Sequence, residues 1–234
     1  MGSAGEVLAE IGKIPRFALG CYVAGALLGL ALLILRGSPA AGASAVAGIF
    51  LVVAYRTPPL KLADRGLGEA SVALGFGPVL LLGAYAVQSR GALSSEAILL
   101  SIPIGLLAGL VVYVGGIPNR VADARAGRMT LPVRWSKAIV ILGFDLALIA
   151  AFVTPVLGVA AGLLPIPVLL ALLALPLARH VRADLTRHYE TPSALTAALM
   201  SNDRLYLNVG LLLMAGYLLT IADQVFLTRA PFLR

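Results

Sequence analysis

The sequence predicts an all-α fold: a polytopic transmembrane helix bundle of about seven spans, forming one domain over residues 1–234. Three observations lead there. Hydrophobic residues make up 60% of the chain and charged residues only 12%, about half the charged share of an ordinary soluble domain. Mean hydropathy is +0.97, which calls for several spans, because a bilayer core takes roughly 20 apolar residues per helix. The apolar stretches are long, continuous and rich in Leu, Ala and Gly. A barrel would instead alternate apolar and polar residues in segments of about 10. Backbone groups in lipid must be satisfied internally, so helices are what remains.

The spans follow in order: Phe17 to Leu35, Pro39 to Ala54, Ala70 to Gln88, Ala97 to Ile117, Ala138 to Val153, Val156 to Leu177, and Leu205 to Phe226. A short turn near Thr154 and Pro155 is expected to part the fifth from the sixth. Pro165 and Pro167 are expected to kink or shorten the sixth, since proline removes a helix donor and clashes with the preceding turn. Nothing marks a domain boundary or an internal repeat. The segment before Phe17 lacks a short apolar core with a small-residue cleavage site, so the first span is expected to direct insertion itself.

Charge orients this array. The chain carries a net +7. No nucleic-acid-binding motif accompanies it, and the cations lie between apolar segments. Lys13, Arg16, Arg56, Lys61, Arg65, Arg120, Arg125, Arg128, Arg134, Lys137, Arg179, Arg182, Arg187 and Arg204 fall on one side. Only Arg36, Arg90, Arg229 and Arg234 fall on the other. The positive-inside rule then predicts a multi-pass protein of the inner (cytoplasmic) membrane with a cytoplasmic N-terminus. An even number of spans would destroy the asymmetry. The lone Cys21 excludes a disulfide framework or a cysteine metal site.

Two loops on the basic side combine acids, bases and turn residues. In the second, Asn119 and Asp123 are spaced i, i+4 and would share a helical face. Two oxygen ligands there can hold Mg²⁺, which takes carboxylates plus phosphate oxygens, while Arg120, Arg125 and Arg128 can grip phosphate. The same residues also describe a basic loop with a helix-capping Asp. In the first loop, Lys61 can hold a diphosphate as a point charge and Tyr55 can donate to a phosphate oxygen. Taken alone, the two residues read more simply as an interfacial aromatic anchor and a positive-inside lysine. Gly25-x-x-x-Gly29 and Gly105-x-x-x-Gly109 suit close helix packing. Asp145, inside the fifth span, should face the bundle, pair or be protonated. His180 and His188 read as solvated, and Trp135 as an interface anchor.

The segment YRTPPLKLADRGLGEASVALGFGPVLLLGAYAVQ, from Tyr55 to Gln88, resembles the fourth-to-fifth-helix region of the UbiA superfamily of membrane prenyltransferases. It is most like the branch that prenylates dihydroxynaphthoate in menaquinone synthesis, where YxTPPLKLxxRGLGE and GFGPxxxxGxYxVQ are typical. IPNRVADARAGRMTLPVR resembles that family's second aspartate-rich motif, with Asn119 in place of its first aspartate. The resemblance implies Mg²⁺-dependent transfer of a polyprenyl group from its diphosphate to an aromatic quinone precursor such as 1,4-dihydroxy-2-naphthoate. It implies Asp123 and Asn119 as metal ligands. Lys61 and Arg128 would lie on the diphosphate, with Arg56, Asn119, Arg120 and Arg125 as further substrate contacts and Tyr55 lining the pocket. The family has nine helices and a first motif, NDxxDxxxD, between its second and third. The residues before Phe17 resemble the segment just after that motif, so the resemblance implies helices three to nine, with an N-terminal fragment as an expected partner. An impaired or non-catalytic membrane subunit is the alternative expectation.

Overall fold

The computed structural model describes the backbone of residues 4–36 and 38–229 and the side chains of residues 17, 19–35 and 38–226. Lys13, Arg16, Arg36, Arg229 and Arg234 of the charge pattern have side chains outside the described residues. Among the described residues there is no strand. We number the helices α1 (Ala4–Arg36), α2 (Pro39–Arg56), α3 (Gly68–Gln88), α4 (Ser95–Gly116), α5 (Arg120–Arg125), α6 (Leu131–Arg134), α7 (Lys137–Ala160), α8 (Ile166–His188) and α9 (Leu195–Arg229).

Six of these, α2, α3, α4, α7, α8 and α9, are long and apolar enough to cross a membrane by length and composition. The apolar stretch of α1, Leu19–Leu35, is shorter than theirs, so six helices rather than the expected seven meet that measure. Local chemistry sets the starts. The Ser38 hydroxyl accepts from the Ala41 N–H at 3.1 Å, with Pro39 in the first helical turn, and Ser94 does the same for Ala97 at 3.1 Å.

Proline decides the irregular helices. Pro78 offers no N–H, and α3 widens to π geometry over Gly75–Leu82 around it. Pro165 and Pro167 open α8 as a 3₁₀ segment, Ile166–Ala174, before the regular turns Leu175–His188, as the sixth span's prolines foretold. Pro155 does not behave as expected. The turn expected at Thr154 and Pro155 is absent, and α7 runs through both to Ala160. A proline inside a membrane bundle is tolerated because neighbouring helices and side chains support the turn it interrupts, and Pro155 is itself buried in the bundle. The chain turns instead at Gly162, whose φ of +70° favours glycine, and the Gly158 carbonyl accepts from Leu163 and Leu164 at 2.9 and 3.0 Å.

The core is built on α4. Of its most apolar stretch 56% is buried inside the bundle, against at most 28% for any other span, so α4 is central and its neighbours turn one face to lipid. Leu107, Tyr113, Val114 and Ile117 meet Val140 and Phe144 of α7, Val168 and Val181 of α8, and Leu205 and Val209 of α9. Hydrocarbon surrounds such a bundle, so close packing rather than water exclusion holds it. The tightest approach is at glycines. A Cβ on Gly105 would stand 2.3 Å from the Ala73 carbonyl oxygen, and one on Gly77 would stand 2.6 Å from Gly105 Cα. The Gly105–Gly109 pair therefore packs as expected, against α3. The Gly25–Gly29 pair does not: nothing lies within 4 Å of a Cβ at either position.

Candidate functional site

At the end of the bundle where α2 and α4 finish and α3 begins, the two polar loops close over a cavity of about 480 Å³. Tyr55 and Arg56 come from the last turn of α2, and Ala63 and Asp64 from a 3₁₀ turn over Leu62–Arg65. Gly68 and Glu69 open α3, and Val112, Gly115 and Gly116 close α4. Asn119, Ala122 and Asp123 line it from α5, followed by Arg128 and Thr130.

A backbone bond clasps the loops to each other, and an arginine side chain braces it from within the second loop. The Met129 N–H donates to the Asp64 carbonyl at 2.8 Å, and the Met129 carbonyl accepts from Arg134 Nε at 2.8 Å. Gly66 makes the clasp possible. Its φ is +74°, and a Cβ there would lie 3.1 Å from the Met129 carbonyl oxygen. The Arg128 N–H closes the second loop on the Asp123 carbonyl at 2.9 Å. This brings its guanidinium to 3.1 Å from Asp123 Oδ1, and Asp123 is only 7% exposed. A buried carboxylate is tolerated where a cation pairs with it. The Asn119 amide donates to the Gly115 carbonyl at 3.0 Å, leaving its oxygen as an acceptor beside Asp123.

Of the site residues expected from the sequence, the fold brings Tyr55, Arg56, Asn119, Asp123 and Arg128 to this one cavity. Lys61 is exposed, in a left-handed conformation (φ 43°), just before the 3₁₀ turn and outside the cavity lining. Arg120 and Arg125 point the other way and line a second hollow. Arg120 donates to the Tyr189 carbonyl at 3.0 Å and pairs with Glu190.

The structure adds two acids to the cavity, Asp64 and Glu69. Glu69 Oε2 and Thr130 Oγ1 are both buried there without a hydrogen-bond partner, so the cavity presents an acceptor and a hydroxyl to whatever enters it. Glu69 stands alone as an acid in the span Gly68–Gln88, which is the signal that could have singled it out. Elsewhere, Asp145 is paired as its depth requires: Arg182 of α8 reaches it with two hydrogen bonds, 2.8 and 2.9 Å long. His180 sits 3.2 Å from Asp184 on the outer face of α8.

The model of the UbiA prenyltransferase family matches residues 11–202 of the chain. The chain is 25% identical over 169 residues to a Synechocystis protein named 2-carboxy-1,4-naphthoquinone phytyltransferase, covering 72% of this chain and 55% of that protein. It is 34% identical over 84 residues to UbiA prenyltransferase domain-containing protein 1 of Dictyostelium discoideum, covering 36% of this chain and 25% of that one. The chain thus spans about half the length of the Synechocystis relative. No solved structure matches it.

Proposed function

The chain belongs to the UbiA prenyltransferase family, and from that premise we propose that it transfers a polyprenyl group from its diphosphate to an aromatic quinone precursor such as 1,4-dihydroxy-2-naphthoate. The observation that carries this reading is the cavity, which gathers two arginines, a tyrosine and the Asn119–Asp123 pair at the mouth of an apolar bundle. The allylic C–O bond breaks and its electron pair leaves with the diphosphate, the freed carbon bonds to a carbon of the acceptor ring, and that ring carbon gives up its proton, or its carboxyl group as CO2, whose bonding pair restores the aromatic ring. Arg56 and Arg128 lie where they can draw off that charge. Arg128 can exchange its partner Asp123 for a phosphate oxygen, and Tyr55 can donate to either substrate. The surrounding spans keep water from the cation and let the isoprenoid chain lie among lipid. Glu69 Oε2 can accept a hydrogen bond from an acceptor hydroxyl. The excess of Lys and Arg at this end supports a cytoplasmic opening in the inner membrane.

Magnesium is the cofactor this chemistry implies. Among the described residues no group of three or more His, Cys, Asp or Glu side chains could hold a metal ion. An all-protein cage is therefore not what these residues offer. Asp123 with the Asn119 amide oxygen fits the lesser demand of Mg²⁺, one or two protein oxygens with the rest from phosphate and water. These two residues would hold it, and when bound it supplies further neutralisation of the leaving diphosphate.

The test is to incubate the purified chain in lipid nanodiscs with Mg²⁺, a polyprenyl diphosphate and 1,4-dihydroxy-2-naphthoate. Prenylated product is expected, and Asp123→Ala should abolish it. Product formation undiminished by that change would overturn the metal and diphosphate assignment. A second reading, a membrane subunit that binds the diphosphate without turning it over, is favoured by Asn119, which leaves one carboxylate where the family motif has two. It predicts saturable binding of a non-hydrolysable diphosphate analogue with no product.

A further inference from the structure

The short helix α5 has two faces. Asn119, Ala122 and Asp123 look into the cavity just described, whereas Arg120, Val121, Ala124 and Arg125 look outward into a separate hollow of about 460 Å³. Pro132, Val133, Trp135, Lys137, Tyr189 and Glu190 complete that hollow. From its charge and its position, we propose that it binds the headgroup phosphate of an anionic membrane phospholipid.

Charge comes first. The lining holds three cations, Arg120, Arg125 and Lys137, against one carboxylate, Glu190. Glu190 is already paired with Arg120, and among the described residues no carboxylate pairs with Arg125 or Lys137. Two of the cations also crowd a single ring: the Arg120 guanidinium lies 4.7 Å and the Lys137 ammonium 5.5 Å from the Tyr189 centroid. Burial pushes the Tyr189 phenol above its ordinary pKa, with Arg120 pulling the other way. The ring is therefore neutral at physiological pH and adds no charge to offset theirs. The hollow is left about two positive charges in excess, and a phosphate diester supplies an anion with oxygens for both Arg125 and Lys137.

Position identifies the source of that phosphate. The hollow lies where α4 has ended at Gly116 and α7 starts at Lys137, the level at which spans leave the apolar slab. Trp135 lies at its rim, an indole placed as interfacial aromatics are. Val121 in the lining is exposed, and in the first turns of α7, which begins in this hollow at Lys137, so are Ile139 and Leu142. Cations at headgroup level above exposed aliphatic side chains form the two-part surface an acyl lipid covers. A soluble anion would leave the apolar half bare.

Trp135 is the only tryptophan in the chain, so its fluorescence reports on this hollow. The experiment reconstitutes the protein in phosphatidylcholine vesicles doped with brominated phosphatidylglycerol or, separately, brominated phosphatidylcholine. Brominated phosphatidylglycerol should quench Trp135 at much lower mole fraction than brominated phosphatidylcholine. Arg125→Ala with Lys137→Ala should weaken that preference by about 25-fold, near fivefold per cation. Arg179→Ala with Arg204→Ala, which removes two basic-side charges away from the hollow, should leave it intact. Equal quenching by the two lipids, or equal loss of preference in the two double variants, would overturn the proposal. So would relief of the quenching by millimolar inorganic phosphate, which would make the ligand a free anion.

Discussion

Placing an alanine at Gly105 tests how the bundle is closed. The added methyl would lie 2.3 Å from the Ala73 carbonyl oxygen and 3.0 Å from Gly77 Cα. Both are backbone atoms, and no rotamer change can move them. Ordinary contact begins about 1 Å farther out, so α3 and α4 must separate by about that much. Overpacking costs about 1–3 kcal/mol, and a backbone clash belongs at the top of that range. Alanine's better helix propensity returns up to about 1 kcal/mol. The net loss is then about 2 kcal/mol, or roughly 4–8 °C in melting temperature for a chain of this size. Far-UV circular dichroism during heating in a mild detergent reads this directly. Gly25→Ala is the matched control, since nothing lies within 4 Å of its new methyl, and the propensity gain alone should leave it melting between the wild-type temperature and about 2–4 °C above it. If Gly105→Ala melts with the wild type, the helices are not in backbone contact there and the crossing described above is wrong.

Other consequences are open to the same kind of test. Tyr113→Phe removes the buried hydrogen bond to the Val140 carbonyl, 2.9 Å long. It should lower stability by about 1 kcal/mol in the same melt, and no loss would mean the bond contributes nothing. Arg182→Leu leaves the Asp145 carboxylate unpaired within the fifth span, at a cost of up to about 2.5 kcal/mol on insertion scales. Adding Asp145→Leu should recover most of that loss in a double-mutant cycle, whereas strictly additive effects would deny the pair any coupling. Glu69→Gln keeps the shape of the side chain but weakens its buried acceptor. Within the proposed reaction it should lower kcat by about tenfold or more while leaving the melt unchanged, and full turnover would remove Glu69 from the site.

How much of this could be read from the chain differs from feature to feature. The six long spans and the basic side were legible because each depends on local composition: twenty apolar residues in a row have few other options. The prolines at the start of α8 were legible for the same reason. Pro155 was not, since whether a proline breaks a helix depends on what supports the turn it interrupts. The two Gly-x-x-x-Gly pairs look alike in sequence, but only Gly105–Gly109 has a partner helix pressed against it. The spacing of Asn119 and Asp123 put them on one helical face, and they do share the cavity. The arginines around them all looked equally suited to phosphate, and the fold separates them: Arg128 turns inward, Arg120 and Arg125 outward.

By itself, the sequence determined that this chain crosses a membrane as helices, which of its ends carries the charge, and which short motifs hold its acids. These follow from hydropathy, charge and i, i+4 spacing, all of which act over a few neighbouring residues. Only the tertiary structure decided that Glu69 joins Asp123 around one cavity and that α5 stands between two chambers of different character. Side chains distant along the chain meet according to how helices cross. Here the crossing is set by backbone contact at Gly77 and Gly105, and the loops are joined by the Asp64–Met129 bond that Gly66 makes room for.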